Sequence, residues 1–493
     1  MPHPTRQRPV ARRMALWMAG VSACAAGVLV ALRVGGDIGV SAGCVVVLLV
    51  CAPVIRRLAR DPLDAPAIYL AVSAGCYGVM SLGWVGDVPS IPAPGVGQAE
   101  VAEALVLVAI GLLAFGAAAR LAAGPVRPRP PLTGGESERV PVLLLVGLFA
   151  IGGLGLLIGL SVGAVGFNGD AGASAGVLAY GQAFAQLSLL GGLAAGAFAL
   201  WVFRRQDIRL RWMLLALVAG QVLCGFASGY KQQALLPVLI VGAAYVSCHA
   251  RVPWKAVAIT AAAGILVLLP ATIFYRSILR PVAGAPSVRT PAGLAHETAD
   301  YLNVRFRLVD SVALIQARTP EVYPYANGRR YTLLPALIAL PRLVWADKPI
   351  LNDGLEFSHT YWEVPPSITT ATPLTQPGDL LRNFAWPGVI VGMAIWGALI
   401  GLLTRLNAAR ASPRLELVCL VALVQVVPFV DSDLPQLLAG ASRTLLVAAV
   451  VAWLTLPGAA GPPGMMRVLG LIRRLRRPAR PSAGCLAGST SSS

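Results

Sequence analysis

Residues 101–123 read VAEALVLVAIGLLAFGAAARLAA, and no residue between Glu103 and Arg120 carries a charge. About 20 apolar residues in a helix match the ~30 Å hydrocarbon core of a bilayer. The stretch is too long and too uniformly apolar for a tilted barrel strand, and backbone groups in lipid must be satisfied internally, so it reads as a transmembrane helix. The same pattern recurs near 14–32, 38–55, 66–85, 140–162, 177–203, 212–228, 232–248, 254–274, 384–404, 415–430 and 440–457. The sequence therefore predicts an all-α, polytopic integral membrane protein with about twelve transmembrane helices. A mean hydropathy of +0.71 and only 13% charged residues exclude a soluble globule, for which about 25% is usual.

Basic residues between the spans set the expected orientation, because cytoplasmic loops are enriched in Lys and Arg. Arg6, Arg8, Arg12 and Arg13, then Arg56, Arg57 and Arg60, then Arg204, Arg205, Arg209 and Arg211, and later the tail RRLRRPAR, alternate with loops 86–100 and 163–176, which hold no Lys or Arg. Both termini are expected in the cytoplasm. The organisation that follows is a helical group over 1–121, a Pro/Gly-rich cytoplasmic linker over 122–141 and five helices over 142–274. A large outward loop spans 275–383, three helices span 384–457, and a basic, disordered cytoplasmic tail covers 458–493. Most of the +18 net charge is then topological, facing anionic headgroups. No basic stripe interleaved with aromatics suggests nucleic-acid binding.

The outward loop holds Arg276, Arg280, Arg289, Arg305, Arg307, Arg318, Arg329, Arg330, Arg342, Lys348 and Arg382. Such a cluster runs against the positive-inside trend, and an anionic ligand is its simplest explanation. Within the loop, AHETADYLNVRFRLVDSVALIQAR (295–318) has helical spacing, with Leu302, Phe306, Val309 and Ala313 on one side and Asp300, Asn303, Arg307 and Asp310 on another. The polar stripe is either a solvated face or the lining of a substrate cavity. The apolar run 331–345 is too short to span and reads as re-entrant or interfacial. None of the eight cysteines lies in this loop, so no disulfide framework or cysteine metal site is expected there. Asp431-Ser432-Asp433 reads as a polar turn at a helix end, and His296 and His359 lack the paired spacing of metal ligands.

Four stretches carry a family resemblance: ASGYKQQALLPVLI (227–240), VRFRLVDSVALI (304–315), PRLVWADKP (341–349) and TPLTQPGDLLRNFAWPGV (372–389). Together they resemble the O-antigen polymerases, or oligosaccharide repeat unit polymerases, of bacterial envelopes, over roughly residues 225–404. In the last stretch Gly378, Asp379, Asn383, Phe384 and Gly388 match the family pattern, while Ala385 stands where glycine is expected. The resemblance implies a glycosyltransferase at the outer face of the bacterial cytoplasmic membrane, joining polyprenyl-pyrophosphate-linked oligosaccharide units. A flippase, a chain-length regulator and membrane lipid would be its partners, and it would use no cofactor and no metal.

On that reading Lys231, Arg305, Arg307, Arg342 and Lys348 hold the pyrophosphate, since guanidinium forks and ammonium charges suit phosphate oxygens. Trp345 and Asn383 complete the binding set. Asp310, Glu356 and Asp379, with His359 behind them, are the candidates for general base. A ligase that transfers glycan to another acceptor shares this donor chemistry. A lipid-linked oligosaccharide transporter is the other rival, but charges would then be expected near the bilayer midplane, whereas here they gather at span ends and in one loop.

Overall fold

A computed structural model of the chain describes residues 24, 26–31, 33, 34, 36–86, 93–124, 142–162, 187–205, 208–227, 231–249, 251–271, 273, 274, 290–339, 353–365, 371–409 and 412–456. All regular structure among them is helical. Seven helices are long and apolar enough to cross a membrane: Ala65–Trp84, Gln98–Ala123, Val142–Ser161, Arg209–Phe226, Trp254–Ala271, Gln376–Ala409 and Leu434–Thr455. Gly36–Cys51 and Ala234–His249 are apolar but shorter. Ser188–Arg205 and Pro413–Val426 occupy two further expected spans, and the first, near 14–32, falls mostly outside the described residues.

In chain order the helices are α1 (Gly36–Cys51), α2 (Ala65–Ser73), α3 (Gln98–Ala123), α4 (Val142–Ser161), α5 (Ser188–Arg205), α6 (Ile208–Ala227), α7 (Lys231–His249) and α8 (Trp254–Ala263). Helix α2 continues through a π turn, Ala74–Val79, and a 3₁₀ turn, Met80–Trp84. The expected outer loop contributes α9 (Pro291–Phe306), α10 (Val309–Arg318), α11 (Arg329–Ala339) and α12 (Asp353–Thr360). Helices α13 (Gln376–Ala409), α14 (Pro413–Val426) and α15 (Leu434–Thr455) follow.

Lipid tails are as apolar as leucine, so helices in a bilayer associate through close packing of small residues. Helix α3 is clasped this way from two sides. Gly39 and Gly43 of α1 lie against Ala102 and Leu105, and a Cβ on Gly43 would stand 2.8 Å from the Leu105 side chain. Gly397 and Gly401 of α13 press on the backbone of Phe115 and Ala119, where any Cβ would strike a carbonyl oxygen. Tyr69 of α2 stacks on Phe115 with ring centroids 4.2 Å apart. A second group forms around α5, which packs on α4, α6 and α7, with Gly196 against Ile240 of α7 and Leu417 of α14.

Helix α13 is two helices joined at Ala385, whose φ of 57° and ψ of −164° lie in a region natural to glycine. The apolar part that can cross a membrane begins after this break, at Pro387. Before it, Gln376–Phe384 stands among the loop helices. The expected helix over 295–318 is also two, broken at Arg307 (φ −81°, ψ 73°). Only Thr298 is buried on α9, whereas Val309 through Ile315 are all buried on α10. The break lets α10 turn away from the α9 axis and lie against α3 and α13, enclosed on every side instead of along one stripe.

Candidate functional site

The first polar group built by this arrangement is fully enclosed. Asp310, in the first turn of α10, accepts from the Trp84 indole through Oδ1 (2.7 Å) and from Arg307 Nε through Oδ2 (2.7 Å). The Arg307 guanidinium also lies over the Trp84 ring, 5.7 Å from its centroid. Both charged side chains are at most 5% exposed. Burial pushes the Asp310 carboxyl above its usual range, and the adjacent Arg307 and Trp84 oppose that rise. Of the expected polar stripe, Asn303 is exposed and Asp300 half-buried, while Arg307 and Asp310 are enclosed and pin the loop to the end of α2.

The second group centres on the short helix before Ala385. Thr375, at φ 65°, opens it, its hydroxyl accepting from Gly378 N (3.1 Å). Gln376 is held by Tyr69 OH (2.7 Å) and donates to Phe429 O (2.7 Å). Asp379 is buried, accepting from the Tyr331 phenol and from Asn383 Nδ2 (2.9 Å). Asn383 Oδ1 in turn accepts from Gly328 N (3.1 Å). A Cβ on Gly378 would come within 2.9 Å of Thr375 Oγ1, and one on Gly388 would overlap Phe384. The Gly-Asp-x-x-x-Asn-Phe pattern is thus a packing device that binds α13 to α11 and to the turn before it.

Burial raises the Asp379 carboxyl to about 7; neighbouring Asp433 raises it further, while Tyr331, the Leu434 backbone N–H and Arg382 pull the other way. Asp433 caps α15 by accepting from Gln436 N (2.8 Å), the helix-end role read from its sequence. It is also raised by burial, against the lowering effect of backbone N–H groups and of Arg330 and Arg382. The Tyr331 phenol is pushed far up, first by burial and then by Asp379.

The third group reaches solvent. Glu356 of α12 accepts from Arg330 through Oε2 and from Arg382 through Oε1. Arg330 also pairs with buried Asp353. The Arg382 guanidinium lies over Tyr361 (5.7 Å), whose hydroxyl bonds Thr319 (2.7 Å). Nearby, Arg318 pairs with Glu363 (2.8 Å) and Arg305 with Asp431 (2.8 Å). His359 Nδ1 donates to Val364 O (2.8 Å), which closes the turn after α12.

Of the residues expected from sequence, Asp379 and Asn383 are brought together, Arg307 and Asp310 pair with each other, and Glu356 lies beside neither Arg305 nor Arg307 but between two other arginines. Lys231 begins α7; its side chain, and Arg342, Trp345 and Lys348, lie outside the described residues. Part of the apolar run expected at the membrane surface is α11, with Leu337 buried and Leu333 and Ile338 exposed. Arg330, Arg382, Tyr331 and Asp433 were not among the expected site residues. Clustering of Arg329-Arg330 beside a Gly/Asn turn, four residues before the apolar half of α11, was the available signal for the first of them. No group of three or more potential metal ligands occurs among the described residues. No family model, no curated protein and no solved structure matches the chain.

Proposed function

We propose that the chain is a membrane glycosyltransferase that joins oligosaccharide units carried on a polyprenyl diphosphate, working at the outer face of a bacterial cytoplasmic membrane. The observation that carries this reading is Glu356. Asp310 and Asp379 are buried and have their oxygens engaged. Glu356 is 43% exposed and is held by arginines at the head of the crossing segment of α13.

Its exposure opens this carboxylate to an acceptor hydroxyl once an arginine releases one of its oxygens. Glu356 takes the hydroxyl proton as the oxygen attacks the anomeric carbon of the donor. The bond from that carbon to the diphosphate breaks, and its electron pair leaves with the lipid diphosphate. Cations close to the departing oxygens would stabilise the charge that builds there; Arg330 and Arg382 flank Glu356, and Lys231, Arg342 and Lys348 are proposed to join them. The energy for the step is already stored in the diphosphate linkage.

The test is elongation by the purified chain in detergent, given a lipid-diphosphate oligosaccharide with chelator and without a gradient. Longer glycan and released lipid diphosphate are expected. Detergent leaves no compartments, so product there is chemistry. Movement of the lipid across reconstituted vesicles with no elongation would replace this reading with a transporter.

A further inference from the structure

Two guanidinium groups from different helices converge on the two oxygens of one exposed carboxylate: Arg330 Nη2 on Glu356 Oε2 and Arg382 Nη2 on Oε1. Each is anchored from its other side. Arg330 Nη1 pairs with Asp353, which is 2% exposed. Arg382 lies over Tyr361, and its backbone carbonyl accepts from Ala326 N (3.0 Å). Each arginine thus has a contact other than Glu356. We propose that Glu356 holds the place of a phosphoryl group on Arg330 and Arg382, and that a diphosphate exchanges with it and releases the carboxylate.

The energetics favour exchange at this pair and forbid it at Arg307–Asp310. Exposed ion pairs contribute about 0–1 kcal/mol each, so little holds Glu356 in place. A phosphoryl group offers the same two-oxygen face with more charge, and guanidinium groups bind it in the same bidentate way. Receptors fixed before the ligand arrives lose little on binding it. Arg329, the next residue in the chain, is exposed and forms no ion pair among the described residues. Leu333 and Ile338 of α11, and Phe384, whose ring packs on Tyr331, are exposed as well. These apolar groups are what an apolar tail on an anionic head would have to meet.

This exchange rests on the transferase reading for the source of the diphosphate, and it deepens that reading in one respect. Donor binding would itself uncover the base. With Glu356 clasped, its oxygens are occupied; with the diphosphate in place, they are free to take the acceptor proton.

Binding to the full-length protein in detergent micelles, followed by titration calorimetry with inorganic pyrophosphate and with farnesyl diphosphate, tests the exchange. Glu356→Gln removes the competitor and should bind both ligands roughly three- to tenfold more tightly, the worth of one or two exposed ion pairs. Arg330→Lys and Arg382→Lys should weaken both. Tighter binding of farnesyl diphosphate than of pyrophosphate supports the lipid-linked source; equal affinities assign the site to free phosphate and overturn the role of the apolar surface. Unchanged or weaker binding by Glu356→Gln overturns the exchange, and that variant is exposed enough to fold. Tightened binding by Glu356→Gln together with no elongation by the unsubstituted protein would sink the transferase reading alone; elongation by the unsubstituted protein without tightening in Glu356→Gln would sink the exchange alone.

Discussion

Arg307–Asp310 and Arg330–Glu356–Arg382 are built from the same residue types in the same loop, yet burial gives them opposite characters. The first pair is at most 5% exposed and also holds Trp84. In the second, Glu356 is 43% and Arg330 31% exposed, while Arg382 is 14% exposed. A desolvated pair is expensive to break because the surviving charge has no water to turn to. A solvated one costs little to open. The loop's excess of arginine, which suggested an anionic ligand, therefore divides into a structural part and an exchangeable part, and Arg305, Arg307, Arg318, Arg330 and Arg382 all have a carboxylate beside them.

The largest expected effect tests the buried side of this contrast. Arg307→Ala or Asp310→Ala leaves one uncompensated buried charge and should cost about 3–5 kcal/mol. The double change to Arg307→Met with Asp310→Leu should recover most of it, because apolar residues of similar volume can replace a buried pair. Thermal unfolding of the three proteins in detergent measures this. A loss under 1 kcal/mol in both single variants would show that burial does not separate the two groups.

A smaller effect comes from Asp379, buried like Asp310 but without an arginine bonded to it. Its folded pKa is raised to about 7 by burial and by Asp433, so the folded protein binds this proton more tightly than the unfolded chain, where the value is near ~3.9. Stability is then fully present below about pH 4 and is lost as pH rises from there through about 7, by roughly 2–4 kcal/mol. Asp310 and Asp433 are raised as well and act in the same direction. Asp379→Asn should flatten the part of the stability–pH curve that extends to neutrality. A curve rising over that interval, or unchanged in the variant, contradicts the assignment.

Hydropathy made the helical class legible, and seven of the twelve expected spans coincide with helices long and apolar enough to cross a membrane, since a run such as 104–119 has no other economical fold in lipid. Helix packing was half legible: Gly397 and Gly401 are visible in sequence, but that they meet the backbone of Phe115 and Ala119 is not. The Ala385 position shows a different case. The departure from glycine was noticed in the sequence, and the structure shows why glycine suits the place, since the backbone there has a positive φ. The fate of the arginines was not legible. Trp84 and Asp310 are 226 residues apart, and Glu356 and Arg382 are 26 apart. A charge count states how many cations a loop has, and only the fold states which of them are already neutralised. The break at Arg307 was hidden for the same reason, because the ring its guanidinium lies over, Trp84, is far away in the sequence.

The smallest expected effect tests the exposed side of the contrast. Glu356→Gln keeps the shape of the side chain and one acceptor oxygen, removes its charge, and leaves Arg330 on Asp353 and Arg382 over Tyr361. Because water can solvate what is left, the loss of stability should stay below about 1 kcal/mol and shrink further at high salt, where exposed pairs are screened. Unfolding midpoints at low and high ionic strength read both quantities. A loss comparable with that of Arg307→Ala would mean that Glu356 is a structural clamp like Asp310, and the division of the loop into fixed and exchangeable cations would fail. A loss within the expected bound leaves these arginines cheap to uncouple, which is the physical condition for an anion to take them.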